Sequence, residues 1–428
     1  MKFKGFTKVG HWPTLLAAFL YFDVSFMVWV VLGPLSLYLT QGLGLSIEEK
    51  FTVVAIPILA GALLRVPMGM LADHIGPKRA GQFGQLVIIV ALAYAWLVGL
   101  HSKLEVEIFG AVLGLAGASF AVAIPQASRW YPPEYQGIAL GIAGAGNVGV
   151  VFDSLLVPWL AESFGWQAVF GFLLIPVVIV FLFYSWMAKD APDKRAPVTL
   201  KNYALVLQDS DTWWFMFFYS ITFGGFVGLS NALPLYFTHW YHASGITAGM
   251  MAAIVVAAGS MCRPIGGWVA DRVGGIKALQ ILLSIVALCY LAIGLMPEGP
   301  APLGLVPAAS KVAGWGLFEL PAVAWLAVLI FFVGAMALGM GNGSVFQLVP
   351  LRFRREMGVV TGLVGAAGGI GGFFLAKALG LSKGATGGFA AGFWLFAGLA
   401  LIGLVGLALV KTRWRTTWGA SSVTTAKV

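Results

Sequence analysis

The sequence RVPMGMLADHIGPK at residues 65–78 returns in modified form as RPIGGWVADRVGGIK at residues 263–277. The second copy begins 198 positions after the first, and both copies place an arginine eight residues before an aspartate. The identical pairs are Arg65 and Arg263, Gly69 and Gly267, Ala72 and Ala270, Asp73 and Asp271, and Gly76 and Gly274. This repetition indicates that the chain consists of two related halves.

The composition places both copies inside a membrane protein. Hydrophobic residues make up 60% of the 428 positions and charged residues 10%, whereas soluble domains carry about 25% charged residues. Apolar stretches long enough to cross about 30 Å of hydrocarbon as helices recur along the chain. We predict twelve spans, at residues 14–40, 46–73, 80–100, 104–130, 134–162, 166–188, 211–240, 245–272, 276–297, 322–349, 356–380 and 386–410.

The spans divide into two sets of six. We predict an N-terminal half at 1–188, a polar cytoplasmic linker at 189–210 and a C-terminal half at 211–428. Parallel repeats of six spans are typical of the major facilitator architecture. The pattern G-x-x-x-D-x-x-G-x-K from Gly69 to Lys78 resembles that superfamily's loop motif after its second helix, with a looser copy in the other half. We therefore predict an all-α membrane protein with the twelve-helix major facilitator fold.

The basic residues predict how the chain is oriented. If both termini lie on one side, that side carries 19 of the 26 Lys and Arg residues and the other side carries 5. Cytoplasmic loops hold the excess of Lys and Arg, so we predict a multi-pass protein of the cytoplasmic (inner) membrane with both termini in the cytoplasm. The net charge of +9 then reflects orientation in a lipid bilayer, and no nucleic-acid partner is expected.

Two arginines, Arg65 and Arg263, fall in mid-span. Asp73 and Asp271 mark the cytoplasmic ends of their helices, which places both arginines about 12 Å inside the membrane at 1.5 Å per residue. An ionised group at that depth is costly and suggests a function. Guanidinium donates in bidentate fashion to planar oxyanions, so the matched pair predicts an anion site in a central cavity.

Glycine-rich stretches form a second repeat, 221 positions apart: GIALGIAGAGNVGVV at 137–151 and GVVTGLVGAAGGIGGFF at 358–374. Small residues allow close approach of neighbouring helices. We predict gating or packing roles for Gly141, Gly144, Gly146, Gly362, Gly365 and Gly368, together with Asp73 and Asp271. The G-x-G-x-x-G at 144–149 lacks the preceding strand of a dinucleotide site, and neither the two cysteines nor the five histidines show metal-ligand spacing. No metal or cofactor is therefore expected.

These features together resemble the nitrate/nitrite porter (NarK-type) family. GIAGAGNVGV at 141–150 resembles that family's first nitrate signature and GLVGAAGGIGGFF at 362–374 its second. YSITFGGFVGLS at 219–230 resembles its seventh helix, and AGASFAVA at 116–123 its fourth. The resemblance covers nearly the whole chain and implies nitrate or nitrite as the ligand of the two arginines.

The resemblance also implies roles for side chains around that ligand. Phe120 and Phe223 would sandwich the flat face of the anion, while Asn147 and Tyr219 would donate hydrogen bonds to it. Tyr219 and Phe223 are four residues apart, which puts them on one face of a helix. Core packing of the aromatic rings and an interhelical hydrogen bond of Asn147 remain open as alternatives.

One further residue, Asp23 in the first span, bears on the mechanism. The family contains nitrate/nitrite exchangers and proton-coupled symporters. Exchange of two monovalent anions is electroneutral and needs no titratable group, whereas symport needs a carboxylate that can take up a proton within the membrane. Asp23 is our candidate for proton coupling, although it could instead be the fixed partner of a polar group or of Arg65. Asp153 could likewise be the fixed partner of an arginine.

We therefore predict a secondary active transporter, not an enzyme. It would move nitrate or nitrite, or both, by alternating access, with proton symport favoured and protons as the coupled ion. Nitrate/nitrite antiport and transport of another small anion are the alternatives. We expect a monomer.

Overall fold

The computed structural model describes residues 9–132, 139, 142–144, 146–191, 199–299, 316–353 and 356–418. The chain forms helices α1 (Trp12–Val30), α2 (Leu32–Leu43), α3 (Ile47–Ile75), α4 (Pro77–Leu97), α5 (Lys103–Gly117), α6 (Phe120–Ser128), α7 (Gly149–Phe164), α8 (Trp166–Met187), α9 (Leu200–Leu207), α10 (Ser210–Tyr241), α11 (Gly245–Val273), α12 (Gly275–Gly294), α13 (Ala322–Arg352), α14 (Met357–Thr386) and α15 (Ala390–Thr416).

Twelve segments among the described residues are long and apolar enough to cross a membrane. They correspond one to one with the twelve predicted spans, with ends that differ by a few residues. The largest difference is in the fifth span, which is predicted from residue 134 and is described from Ile142 to Phe164. Residues 133–138 and 140–141 lie outside the described part, as does the middle of the linker at 192–198.

The fourth span is predicted as one helix, and the structure corrects this. It breaks between α5 and α6, where the amides of Ser119 and Ala121 bond to carbonyls three residues back, at 3.1 and 3.0 Å. Bonds of this i→i−3 type tighten a helix locally. As a result no described backbone amide bonds to the carbonyl of Gly117 across the break, and this carbonyl is open to a side chain.

Among the described residues, the predicted halves meet most extensively along α3 with α14 and α7 with α11, and also along α2 with α10. Glycines allow the first pair to approach closely. A Cβ built on Gly369 would lie 2.7 Å from the Cβ of Ala62, and one on Gly380 would lie 2.6 Å from the Cβ of Phe51. An added methyl group would therefore clash, so the contact depends on glycine at these positions.

The same helix pair is tied together at the membrane side away from the linker. The Lys377 ammonium of α14 donates to Glu48 at 3.1 Å and to the hydroxyl of Thr52 at 2.7 Å, both near the start of α3. The other end of α3 lies beside the linker, because the amide of Lys78 donates to the carboxylate of Asp190 at 2.8 Å. The side remote from the linker is therefore closed between α3 and α14.

On the linker side, Asp211 at the start of α10 holds three helices together. Its carboxylate accepts hydrogen bonds from Arg352 at the end of α13, at 2.9 Å, and from Arg413 of α15. The indole of Trp414 donates to the same carboxylate at 2.7 Å. The Asp211 side chain is only 6% exposed, so these three donors satisfy a carboxylate that water hardly reaches.

Replacing Asp211 should weaken this junction. Asp211→Ala leaves the buried Trp414 indole and two partly exposed guanidinium groups without their shared acceptor, while Arg352 keeps its pair with Asp209. A buried donor left without a partner costs about 1–3 kcal/mol. We expect a clear fall in the melting temperature of the detergent-solubilised protein. Glu298→Gln is the control, because Glu298 forms a longer pair with Lys383 through a carboxylate that is 52% exposed, and such solvent-exposed pairs contribute about 0–1 kcal/mol. Equal melting temperatures for the two variants would contradict the assignment.

Candidate functional site

Arg65 lies in the middle of α3 with only 1% of its surface exposed. Its Nε donates to the Gly117 carbonyl at the break between α5 and α6, at 3.2 Å, and its Nη1 donates to the Gly365 carbonyl of α14. The third nitrogen, Nη2, is buried and has no hydrogen-bond partner among the described residues. Arg65 thus contacts helices of both predicted halves and keeps one donor uncommitted.

Three aromatic rings surround the Arg65 guanidinium. Its central carbon lies 5.0 Å from the ring centre of Phe120, 5.3 Å from that of Phe223 and 5.4 Å from that of Trp29. A desolvated cation over an aromatic ring gains about 2 kcal/mol. The rings therefore lower the cost of burying the charge without neutralising it, and the positive field remains available to an anion.

Arg263 of α11 approaches the same cluster from the other half. Its Nη2 donates to the hydroxyl of Tyr219 at 2.9 Å, and its central carbon lies 5.7 Å from the ring centre of Phe223. Its Nη1 is buried without a hydrogen-bond partner among the described residues. Since Tyr219 accepts from Arg263, its own hydroxyl proton is free to be donated elsewhere.

The structure brings Arg65, Arg263, Phe120, Phe223 and Tyr219 together around one point. The Tyr219 and Phe223 rings stack at 5.0 Å with an angle of 5° between their planes, as expected for residues four apart on a helix. The alternative pairing of the arginines with buried carboxylates is not found. Within the described part of the chain, neither arginine has an ion pair with any acidic residue. Two cations at mid-membrane that share one aromatic ring and lack a counter-ion form a site suited to an anion.

A cavity of about 190 Å³ leads to this site from the linker side. Its walls run from the buried Arg65 and Phe120 to the partly exposed pair of Asp73 and Arg129, whose charged atoms are 2.8 Å apart. Tyr203 of the linker helix α9 also lines it. Because α3 and α14 are closed on the opposite side, this conformation gives access to the site from the linker side.

The glycines predicted to pack closely differ in how near their neighbouring atoms lie. A Cβ on Gly365 would lie 3.0 Å from Nη1 of Arg65, one on Gly368 would lie 2.7 Å from the Tyr219 ring, and one on Gly146 would lie 2.8 Å from Phe22. These three do have close neighbours, and their part in gating remains a prediction.

Two other glycines depart from the expected close packing. In the described residues, no atom lies within 4 Å of a Cβ built on Gly144, which is partly exposed, so the close approach predicted there is wrong for this conformation. Gly362 lines the cavity. A Cβ built on Gly362 would have the hydroxyl oxygen of Tyr203 as its nearest neighbour, at 3.7 Å. Gly141 lies outside the described residues.

Asn147 precedes α7 and Asp23 lies in α1, and among the described residues neither side chain hydrogen-bonds to Arg65 or Arg263. Asn147 is buried, its side-chain oxygen has no hydrogen-bond partner among the described residues, and Ser260 donates to its backbone carbonyl at 3.3 Å. The Asp23 carboxylate accepts a hydrogen bond of 2.7 Å from the amide of Gly149. Asp23 is therefore the partner of a polar backbone group, one of the roles left open by the sequence, and does not pair with Arg65.

Asp271 differs from its repeat partner Asp73. The side chain of Gln347 hydrogen-bonds Asp271, whereas Asp73 pairs with an arginine. Both aspartates lie at the linker-side ends of their helices, as their spacing from the arginines predicts.

Sequence reasoning missed four side chains near the site. Trp29 and Phe22 belong to the stretch YFDVSFMVW, where positions 22, 26 and 29 fall on one helix face; this spacing was the available signal. Phe346 contacts Tyr219 edge to face at 5.0 Å and directly precedes Gln347, which lies 221 positions after Gln126, the same offset as the glycine-rich repeat. Tyr203 gave no signal. Burial and, to a lesser degree, the charge of Asp73 raise the pKa of Tyr203, so its hydroxyl stays protonated at the cavity wall.

Comparisons with known proteins show which family this chain belongs to. A model of the Major Facilitator Superfamily matches residues 15–376. The nitrite extrusion protein of Bacillus subtilis is 30% identical over 89% of this chain and 90% of its own. The probable nitrate/nitrite transporter NarK2 of Mycobacterium tuberculosis is 33% identical over 82% and 84%, respectively. The probable nitrate/nitrite antiporter NarK1 of Thermus thermophilus is 30% identical over 85% and 82%.

A solved structure has the same fold. A bacterial homolog of the human lysosomal transporter Spinster, in an inward-facing and occupied conformation, superposes with a TM-score of 0.67 over 93% of this chain and 96% of its own. At 17% sequence identity the likeness concerns the fold alone. It confirms the predicted twelve-helix architecture.

The access route can be tested by cysteine labelling in a Cys262→Ser, Cys289→Ser background. Ala121 lines the cavity, whereas Ala123, two residues further along α6, is fully buried. We expect a membrane-impermeant thiol reagent to label Ala121→Cys from the linker side only and to leave Ala123→Cys unlabelled. The measurement compares inside-out with right-side-out vesicles. Labelling of Ala121→Cys from the opposite side alone would contradict the access route.

Proposed function

Since this chain belongs to the nitrate/nitrite porter family of the major facilitator superfamily, we propose that it carries nitrate or nitrite across the membrane by alternating access. It is a multi-pass membrane transporter and not an enzyme. The observation that carries the substrate proposal is the pair of arginines, Arg65 buried and Arg263 partly buried, which have no counter-ion among the described residues. Each has one buried guanidinium nitrogen without a hydrogen-bond partner in that part of the chain. The names of its relatives, which include nitrite extrusion protein and nitrate/nitrite transporter, support the same substrate class.

The donors suit a small planar oxyanion. Arg263 offers Nη1, Arg65 offers Nη2, and Tyr219 offers its hydroxyl proton. Phe120 and Phe223 flank the Arg65 guanidinium, so a flat anion bonded to that nitrogen lies between aromatic faces. A bulky organic anion would have to displace these rings, which disfavours transport of larger substrates.

Binding in bidentate fashion would change the contacts of Arg65. Its Nε and Nη1 are already bonded to the carbonyls of Gly117 and Gly365, so a forked contact through Nη2 and Nη1 has to use the second hydrogen of Nη1 beside the Gly365 bond or replace that bond. Because Gly365 belongs to α14 and Arg65 to α3, an anion that draws Nη1 away from the Gly365 carbonyl would compete with a contact between the predicted halves. We propose that this competition links anion binding to their relative movement, with Gly365 and Gly368 as the closely packed positions.

We infer that the linker side is cytoplasmic. The unequal distribution of Lys and Arg supports this orientation, and it places the observed cavity on the cytoplasmic side. The protein would then lie in the inner membrane with both termini in the cytoplasm and with an inward-open site.

For the coupling mechanism we favour proton symport. Asp23 is a partly exposed carboxylate at mid-span in α1, and an acidic residue at that depth is a functional candidate by default. Nitrate/nitrite antiport is the second possibility, favoured by the name of the Thermus thermophilus relative. An exchanger would have no need of a proton.

The anion site is tested by Arg65→Lys and Arg263→Lys. Lysine keeps the positive charge but loses the fork, and a charge-assisted hydrogen bond contributes about 1.5–3 kcal/mol. We expect nitrate uptake into proteoliposomes to fall about tenfold to a hundredfold in each variant. Arg272→Lys is the matched control, since Arg272 is exposed at the end of the same helix as Arg263 and contacts Trp268. Uptake at the wild-type rate in either site variant would refute the proposed clamp.

The coupling proposal is tested by an imposed pH gradient. Wild type should accumulate nitrate uphill when the outside is acidic, and Asp23→Asn should lose this accumulation, because asparagine cannot carry a proton. Counterflow of nitrate against nitrate should survive in the variant. Indifference of wild type to the gradient, combined with nitrite-dependent nitrate uptake, would establish antiport instead.

A further inference from the structure

Asp153 is a second acidic residue in the membrane that the transport scheme leaves unused. It lies on α7, one helical turn after Gly149, with 1% of its surface exposed. Neither of its carboxylate oxygens has a hydrogen-bond partner among the described residues, and no ion pair reaches it within that part of the chain. An isolated ionised carboxylate is so costly to bury that such a group takes up a proton instead.

Asp153 and Asp23 lie close together. Asp23 accepts a hydrogen bond from the amide of Gly149, and Gly149 and Asp153 stand four residues apart on the same face of α7. Around this point α1 and α7 are in tight contact, since a Cβ on Gly149 would lie 2.4 Å from Met27 and 2.7 Å from the carbonyl of Asp23.

The two carboxylates have unequal surroundings. Asp23 is partly exposed and accepts a hydrogen bond from the backbone amide at the amino end of α7, where the helix dipole also stabilises a negative charge. Asp153 is buried and has no hydrogen-bond donor among the described residues. When the environments of two neighbouring carboxylates differ in this way, the pair holds a proton preferentially on one of them. This geometry favours Asp153 as the member that holds the proton and Asp23 as the member that holds the negative charge.

We propose that Asp23 and Asp153 form a two-carboxylate site that binds the proton coupled to anion transport. This inference rests on the proposed function and adds to it a second residue and a division of roles. The proton passes from the carboxylic acid of Asp153 to an oxygen of the Asp23 carboxylate, which leaves the total charge of the pair unchanged. Asp23 then exchanges the proton with water when its carboxyl group is exposed to solvent.

The helices packed against α7 bring few other charges to the pair. These helices are α1, α2, α8 and α11, and with α7 itself they carry the titratable or charged side chains Tyr21, Asp23, Tyr38, Glu162, Tyr184, Cys262, Arg263, Asp271 and Arg272. Glu162 is occupied at the far end of α7, where Tyr38 donates to it at 2.8 Å. Among them, Asp23 accepts a hydrogen bond from the amide of Gly149, one helical turn before Asp153 on α7.

The pair is connected to the anion site by direct contacts. The ring of Phe22, the neighbour of Asp23, lies 5.6 Å from that of Phe120, which faces the Arg65 guanidinium. The carbonyl of Asn147, just before α7, accepts from Ser260 on the helix that carries Arg263. A shift of α11 with its arginine therefore displaces the start of α7, where the bond between Gly149 and Asp23 is made.

Infrared spectroscopy tests the protonation state without any transport. At neutral pH the wild-type protein should show the carbonyl absorption of a protonated carboxylic acid, with the shift in heavy water that identifies it. Asp153→Asn should remove this band and Asp23→Asn should retain it. Glu162→Gln is the control, as it makes the same chemical change on the same helix and still accepts from Tyr38. A band that persists in Asp153→Asn, or that is missing in wild type, would overturn the proposal.

Transport assays test the coupling. Asp153→Asn should reduce accumulation driven by a pH gradient about tenfold or more, since asparagine does not titrate, while nitrate counterflow stays within about twofold of wild type. Asp153→Glu keeps a titratable group and should recover part of the accumulation, which a purely structural role would not predict. Equal loss of both activities in Asp153→Asn and Asp153→Glu would overturn the coupling role. Accumulation driven by a sodium gradient at equal pH would also overturn it.

The outcomes separate this proposal from the one on which it rests. If wild type shows no nitrate counterflow, the assigned substrate is wrong, and the infrared result still decides whether the pair holds a proton. If counterflow is present and the band does not depend on Asp153, the substrate stands and the two-carboxylate site is refuted.

Discussion

A guanidinium that lies near the middle of a membrane has to find acceptors within the protein, because lipid offers none. The surroundings of Arg65 follow from this requirement. The break between α5 and α6 provides the Gly117 carbonyl, α14 provides the Gly365 carbonyl, and the aromatic rings cover the faces of the cation. No carboxylate among the described residues neutralises it. The protein therefore stabilises the charge by dipoles and rings and leaves its attraction for an anion intact.

The two halves solve the same problem differently. Arg263 stands at the repeat position of Arg65, yet it bonds to the hydroxyl of Tyr219 instead of backbone carbonyls. The aspartates at the ends of these helices also diverge, because Asp73 pairs with Arg129 while Asp271 is bonded by Gln347. The sequence repeat therefore places equivalent charged residues at equivalent positions of the two halves, but their hydrogen-bond and ion-pair partners differ.

Glycine has a specific purpose where the helices of the two halves cross. Close contact of α3 with α14 at Gly369 and Gly380 closes the side remote from the linker, and the Lys377 ion pair with Glu48 reinforces it. The Gly365 carbonyl, which bonds to Arg65, lies on the same helix. The contact between α3 and α14 therefore both closes the side remote from the linker and fixes the surroundings of Arg65. An anion that competes for Arg65 would act directly on the contact that has to open in a transport cycle.

The sequence alone determined the twelve spans, the repeat that relates Arg65 to Arg263, and the aromatic residues Tyr219 and Phe223 on one face of α10. These features are periodic or composition-based, and a membrane restricts a long apolar stretch to one conformation. The tertiary structure decided what each group touches. It joined Asp23 to the amide of Gly149 and not to Arg65, left Gly144 without close neighbours among the described residues, and placed Trp29 and Phe346 at the site. These outcomes depend on how separate helices meet, and contacts between positions hundreds of residues apart, such as Arg65 and Gly365, have no local signature that a sequence pattern could carry.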